Sequence, residues 1–300
     1  LDLWFRGPMF LVSYYETPVM SIISEVWFKM SLSKEEYAKA EQGIYDNLKD
    51  KLSKVKDNTY RLGVFSEFGT RRRFSKSTFD DIIGALAYAK SHFELGSSTF
   101  VGTSNVEMAM KYNVKPVGTM AHEAIMMFQG FPEYNPAYSN KLMMDAWHKE
   151  YGTENGIYLT DCITTDCFLK DFNKVNAKLF DGVRHDSGDP YVWANKMIEH
   201  YEKLGIDPTT KTLLFSDSLD FKKATDLYNC FNNRAKVAFG IGTYIANDSG
   251  VVKAMNQVIK VTEVNGTPVC KLSDDMGKFM GKSEEYLAYL KRCIDWRLNH

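Results

Sequence analysis

Cysteine is scarce and odd in number: five among 300 residues, at positions 162, 167, 230, 270 and 293. That argues against a disulfide framework, and Cys162 and Cys167 have no second Cys or His pair at zinc-finger spacing. They read as reduced thiols packed in a cytoplasmic core. Neither sign of charge is in excess. Lys and Arg total 37 against 38 for Asp and Glu, a formal net charge of −1, so neither nucleic acid nor a membrane surface is expected as the main partner. A local basic site is compatible with that balance. No apolar run approaches the roughly 18 residues of a spanning helix, and no signal-peptide pattern is visible. With 44% hydrophobic and 25% charged residues, disordered, collagenous and low-complexity classes are excluded. Length alone allows one α/β barrel or two smaller domains. Leu1, not Met, opens the sequence, and a preceding segment is expected.

What is present is alternation. The stretch from Leu1 to Trp27 is aromatic and β-branched with a Gly7-Pro8 turn, and its composition predicts strands leading into a short helix. Ser33, with Glu36 three residues later, predicts the N-terminus of an amphipathic helix running to Lys56. Strands are then expected at Tyr60–Phe65, Thr99–Gly102, Pro116–Thr119, Ile157–Leu159, Gly182–Arg184, Thr212–Phe215 and Lys236–Phe239, with helical segments between them. Parallel strands need long crossovers. The pattern therefore predicts an α/β fold: an irregular TIM-like (β/α) barrel of about seven parallel strands, with a smaller α+β domain formed from the chain termini. The expected boundaries are 1–58 for part of the smaller domain, 59–250 for the barrel, and 251–300 for the return to the smaller domain as a hairpin and closing helix. Asn265-Gly266, flanked by alternating residues, is a strong hairpin signal. That hairpin is expected to share an antiparallel sheet with the first 27 residues. No internal repeat stands out.

Sites in parallel α/β folds lie at the carboxyl ends of the strands. Here those ends read EFGTRRRFS, VGTSN, VGTMAHE, LTDC, RHDSGDP, FSDSLD and FGIGT. No strand end carries the lysine that a barrel aldolase would want. FGIGT lacks the third glycine of a dinucleotide fingerprint, which argues against NAD. Its exposed backbone N–H groups, with Ser216-Asp217-Ser218 on the neighbouring strand, can still hold a phosphate. In RHDSGDP, Asp189 before Pro190 is a helix N-cap. Arg184 and Asp186 alternate onto one side, where the arginine suits an anion and the carboxylate suits a diphosphate's Mg²⁺ or a developing sugar cation. Arg71-Arg72-Arg73 is either a solvated basic turn or an anion site. His122 is either structural or catalytic. His185 is its competitor, turned away by alternation.

These motifs, with KLSDDMGK and KTLLFSDSLD in this order, resemble nicotinate phosphoribosyltransferase of the bacterial and fungal type, from about Arg6 to Trp296. The resemblance implies a type II phosphoribosyltransferase fold. The implied reaction joins nicotinate to 5-phosphoribosyl-1-diphosphate (PRPP), giving nicotinate mononucleotide and diphosphate with coupled ATP hydrolysis, a step of NAD biosynthesis and salvage. It places the family's transient phosphohistidine on His122 and its anion-binding arginines on Arg71 and Arg184, the latter facing the nicotinate carboxylate or the PRPP diphosphate beside Thr119. Asp186 falls where the family holds a ribose- or Mg²⁺-contacting acid. The 5′-phosphate cradle falls on Ser216, Asp217, Ser218, Gly240, Gly242 and Thr243. A homodimer with a composite active site is implied. The family's N-terminal segment, with a DxYK-like motif whose tyrosine lines the nicotinate ring, is expected upstream of Leu1; without it an apolar patch is expected along Trp4, Phe5, Phe10 and Tyr14. The alternatives are another pyridine phosphoribosyltransferase, using nicotinamide or quinolinate, or a truncated, non-catalytic phosphate-binding barrel.

Overall fold

A computed structural model describes residues 3–275 and 279–300; Met276, Gly277 and Lys278 of the KLSDDMGK motif lie outside the described residues. The chain divides into two compact units. The first comprises Leu1–Gly118, Ser218–Cys230 and Ala238–Ile259; the second comprises Thr119–Asp217, Phe231–Val237 and Lys260–His300.

All seven expected strands form: β1 (Val64–Glu67), β2 (Thr99–Thr103), β3 (Lys115–Pro116), β4 (Ile157–Leu159), β5 (Gly182–His185), β6 (Thr212–Phe215) and β7 (Lys236–Ile241). In the first unit, β1 lies between β2 and the C-terminal part of β7, parallel to both, with Phe65 opposite Phe100 on one side and Phe239 on the other. All three phenylalanines are buried, as expected for strands covered on both faces. β1 starts at Val64 rather than at the expected Tyr60, because Gly63 takes a positive φ of 55° that an extended strand does not use. β3 is cut to two residues, Lys115–Pro116, since Pro116 has no N–H to give the ladder.

The largest correction concerns the N-terminal stretch. It is helical, not extended: Met9–Val12 is an α-helical turn, Ser13–Tyr15 is 3-10, and Glu16–Ser31 is a full α-helix. Met20, Ser24 and Phe28 recur every four residues and are buried, and this helical period overrides the β-propensity of the composition. Pro18 sits in the first turn, where a missing N–H costs nothing. The following helix, Lys34–Lys56, opens with the expected Ser33/Glu36 capping box. Among the described residues the N-terminal stretch holds no strand to give to the expected terminal sheet. Trp4, Phe5, Phe10 and Tyr14 are all exposed, and Phe5 stacks on Tyr15 with ring centroids 4.7 Å apart.

In the second unit β5 lies between β4 and β6, parallel to both, with Arg184 opposite Leu159 and Leu214. Lys236, at the start of β7, donates its N–H to the Lys211 carbonyl at 3.0 Å. The Asn265-Gly266 hairpin is present: Glu263–Val264 pairs antiparallel with Thr267–Pro268, and Asn265 and Gly266 adopt φ of 51° and 80°, as a type I′ turn requires. Lys271–Leu272 leaves that hairpin and pairs with Phe279–Met280 instead.

The closing helix, Glu284–Asn299, is fixed by a buried ion pair. Arg297 grips both oxygens of Asp171, Nη1 to Oδ2 at 3.0 Å and Nη2 to Oδ1, and stacks on Tyr138 at 3.9 Å from the ring centroid. Removing one partner strands a buried charge, which costs about 3–5 kcal/mol. Arg297→Met is therefore expected to lower the urea midpoint of the second unit, read by tryptophan fluorescence. An unchanged midpoint would show that the helix docks without the pair.

Candidate active site

Strand ends β4, β5 and β6 and the start of the helix His122–Met127 bring four polar segments of the second unit together. His122 opens its helix directly after Ala121 and is only 5% exposed. Its Nε2 lies 2.9 Å from Asp161 Oδ1 and 3.7 Å from Asp186 Oδ2. Burial disfavours the imidazolium and holds its pKa below the usual histidine range; Asp161 and Asp186 oppose that shift, and Lys271 adds to it. The neutral ring therefore donates Nε2–H to Asp161, which leaves a lone pair on Nδ1.

Asp161 follows β4 in LTDC and is 1% exposed. Burial alone would raise its pKa, but His122, Lys271 and Ser187 together outweigh burial and hold it well below the usual carboxylate range. Its Oδ2 accepts from Ser187 Oγ at 2.6 Å and faces Lys271 Nζ at 2.9 Å. Thr160 continues the β4–β5 ladder, its N–H donating to Arg184 O at 3.3 Å, while its Oγ1 accepts from Trp193 Nε1 at 2.9 Å.

Arg184 projects from β5 into the same cluster. Its Nε donates to Ser216 Oγ at 2.8 Å, Nη1 to Thr119 Oγ1 at 2.5 Å and Met120 O at 3.4 Å, and Nη2 to Asp186 Oδ1 at 2.7 Å. A guanidinium has five N–H groups; these four contacts leave one on Nη2. Ser216 Oγ also lies 2.8 Å from Asp186 Oδ1. Burial raises the Asp186 pKa, but Arg184 first and His122 second outweigh it and keep the carboxylate ionised. His185, one residue along the strand, points elsewhere: it is buried beside Trp193 and Phe215, with Nε2 3.2 Å from Gly188 O. Asp189 caps the helix Pro190–Lys203 through the N–H groups of Tyr191 and Val192.

The structure thus gathers Thr119, Arg184, Asp186 and Ser216 into one hydrogen-bonded cluster, with His122 3.7 Å from Asp186 and Asp217 next along the chain. Arg71, Ser218, Gly240, Gly242 and Thr243 belong to the first unit. There Arg71 pairs with Glu16 at 2.8 Å and Arg73 lies 3.6 Å from Glu25, so two of the three arginines hold the helix Glu16–Ser31. Ser218 takes a φ of 47° and its carbonyl accepts from Lys223 Nζ at 3.2 Å. Gly240 is glycine for packing, because a Cβ would run into the Phe68 ring. A Cβ on Gly242 would meet its nearest atom, Phe68 O, at 3.4 Å, leaving room for close approach. Thr243 opens the short helix Thr243–Ala246.

Asp161, Ser187 and Lys271 join this cluster although the motifs that hold them, LTDC, DSGD and KLSDD, give them no role by themselves. The one signal in the sequence is position: Asp161 stands two residues past a strand, where the strand-end rule points. Glu67, at the end of β1 in the first unit, has the same signal. It is fully buried, accepts from Thr103 Oγ1 at 2.6 Å and from Gly69 N–H, and burial pushes its pKa up to about 7.

A buried histidine–carboxylate pair joined to an arginine at the ends of parallel strands defines an α/β enzyme built to handle anionic substrates. The profile of the nicotinate phosphoribosyltransferase (NAPRTase) family matches residues 64–296, and the chain belongs to that family. It is 44% identical over 294 residues to nicotinate phosphoribosyltransferase 1 of Pseudomonas aeruginosa, covering 97% of this chain and 71% of that protein. The crystal structure of nicotinate phosphoribosyltransferase from Vibrio cholerae superposes with a TM-score of 0.86 at 35% identity, over 97% of this chain and 69% of that one. The Porphyromonas gingivalis nicotinate phosphoribosyltransferase structure gives 0.83 at 33% identity, over 96% and 72%. The irregular TIM-like class of fold is therefore shared with these enzymes. Among the described residues no helix is long and apolar enough to cross a membrane.

Proposed function

We propose that this protein is a nicotinate phosphoribosyltransferase: it moves the 5-phosphoribosyl group of PRPP to nicotinate, couples the transfer to ATP hydrolysis, and so serves NAD biosynthesis. The observation that carries this reading is the buried His122–Asp161 pair set against Arg184 and Asp186 in one cluster. His122 Nδ1 attacks the γ-phosphorus of ATP. The N–P bond forms, the bond from that phosphorus to the β,γ-bridging oxygen breaks, and ADP leaves with the electron pair. The resulting imidazolium keeps its Nε2–H on Asp161, whose charge stabilises it. In the second step the pyridine nitrogen of nicotinate bonds to C1′ of PRPP as the C1′–O bond breaks and diphosphate departs. Water then attacks the phosphorus held on His122, the N–P bond breaks with its electron pair returning to Nδ1, and inorganic phosphate leaves to complete the hydrolysis of ATP. The ribose passes through an oxocarbenium-like state, which Asp186 stabilises. The remaining N–H of Arg184 receives the nicotinate carboxylate or a diphosphate oxygen, with Thr119 and Ser216 holding the guanidinium in place.

Mg²⁺ fits this cluster only in one way. His122, Asp161 and Asp186 present donor atoms within 4.8 Å of one another, but an imidazole is a poor Mg²⁺ ligand, and Asp161 is already committed to His122, Ser187 and Lys271. Asp186 Oδ2 is the oxygen suited to a Mg²⁺ that arrives on a polyphosphate and keeps several waters. When bound, Mg²⁺ neutralises phosphate charge and so eases departure of the leaving group.

Within the first unit, the turn at Gly242–Thr243, between β7 and the short helix, offers backbone N–H groups to the 5′-phosphate, and Gly240, Arg71 and Ser218 are assigned as anion contacts there. Within the second unit Ser216 and Asp217 are assigned as anion contacts. Gly242→Val is expected to raise the Kd for PRPP at least about tenfold by blocking backbone approach, with folding preserved. Calorimetry of PRPP binding checks this, and an unchanged Kd would remove the turn from the site. A homodimer whose neighbouring subunit completes the ring pocket, in the cytoplasm, belongs to the same proposal. Nicotinate mononucleotide formation with and without ATP tests the whole.

A further inference from the structure

The KLSDD motif has no part in the two chemical steps, yet it is fastened directly beneath the histidine. Leu272 donates its N–H to Cys162 O at 2.8 Å. Asp274 donates its N–H to Ser187 Oγ at 3.2 Å and receives the Thr165 N–H at 2.7 Å and Oγ1–H at 2.5 Å. Gly188 N–H reaches Asp275 Oδ1 at 3.2 Å, and on the other side Gln129 brackets Cys270 with two hydrogen bonds of 2.9 and 3.0 Å. Between these fastenings Lys271 sends its ammonium inward. Its side chain is 8% exposed and meets Asp161 Oδ2 at 2.9 Å.

A buried ion pair is weak evidence for stability, because desolvation offsets the attraction. Here the charge lands on the one carboxylate that holds the histidine. The two oxygens of Asp161 are divided: Oδ2 serves Lys271 and Ser187, and Oδ1 serves His122. The imidazole has a second acid within reach, Asp186 Oδ2 at 3.7 Å. Without Lys271 only the Ser187 hydroxyl, among the described residues, would anchor Oδ2; the carboxylate is then free to turn, and the ring can swing towards Asp186. We propose that Lys271 is a positioning residue for His122, acting through Asp161 to fix the imidazole so that Nδ1 faces the phosphoryl donor. This deepens the reading of His122 as phosphoryl acceptor and rests on it.

The test is single-turnover transfer of ³²P from γ-labelled ATP to the protein. Lys271→Ala is expected to slow labelling roughly 10- to 100-fold, the scale of a misplaced reacting group, while the KM for ATP holds. Methylammonium, which replaces the missing ammonium in the cavity left by the truncation, is expected to restore much of the rate, and Lys271→Arg to retain more than Lys271→Met. Labelling at the wild-type rate in Lys271→Ala would overturn the proposal. So would a loss that neither methylammonium nor Lys271→Arg relieves, since a purely structural lysine behaves that way. His122→Asn, run alongside, separates the two claims: label persisting there removes the acceptor itself, and this proposal with it, whatever Lys271 does.

Discussion

His122→Asn is expected to take up no phosphoryl group from ATP, where the unaltered protein takes up about one per chain as an acid-labile, base-stable adduct. The effect is large because it removes the nucleophile and not only its orientation. Asparagine suits the test. Its side-chain N–H₂ can donate to Asp161 Oδ1 as Nε2–H does now at 2.9 Å, so the buried carboxylate keeps a partner and the fold is not charged with an unsatisfied group. With the acceptor gone, ATP should no longer accelerate nicotinate mononucleotide formation. Slow ATP-independent turnover should persist, because Arg184, Thr119 and Ser216 are untouched. Phosphate-release assays and isotope labelling read both effects. Label retained in the variant would move the role to another residue, with His185 the next to test despite its packing against Trp193 and Phe215.

Arg184→Lys should lower kcat/KM for nicotinate roughly 10²- to 10³-fold, the scale on which losing a positioned charged donor acts on a reaction. Lysine keeps the charge but not the fork that reaches Ser216, Thr119 and Asp186 together, and a single ammonium cannot reproduce that geometry. It is preferred to Arg184→Ala because it leaves Asp186 a cation; alanine would strand a buried carboxylate and confound catalysis with unfolding. The preference for nicotinate over nicotinamide should narrow in the variant, since a neutral carboxamide depends less on the guanidinium. Steady-state rates with both bases give the answer. An unchanged preference would mean that another cation reads the carboxylate.

Much of the fold is legible in the sequence because buried parallel strands leave short, continuous apolar runs, closed by Gly, Ser, Thr or Asp where the chain turns towards a helix. β4, β5 and β6 begin and end within a residue of their expected bounds, being apolar runs with clear turn chemistry after them. The N-terminal helix departs from its expected strands because aromatic and β-branched residues there favour strands by composition. The spacing of Met20, Ser24 and Phe28 is the better signal, and it prevails once there is a core for that face to pack on. Arg184 and Asp186 pair from strand alternation alone. Asp161 cannot be joined to His122 in this way, nor Lys271 to Asp161, because those contacts close long stretches of chain and no local pattern encodes them. The two glycines of FGIGT look alike in sequence; only the Phe68 ring distinguishes Gly240, held by packing, from Gly242, which has room beside it.

The most direct measurement is the conversion of carbon-labelled nicotinate to its mononucleotide by the purified protein with PRPP and Mg²⁺, in the presence and absence of ATP. The expected result is product in both conditions, formed faster with ATP and matched by release of diphosphate, with nicotinamide a much poorer substrate. A folded protein that forms no nicotinate mononucleotide in either condition, or that uses nicotinamide with equal kcat/KM, would contradict it.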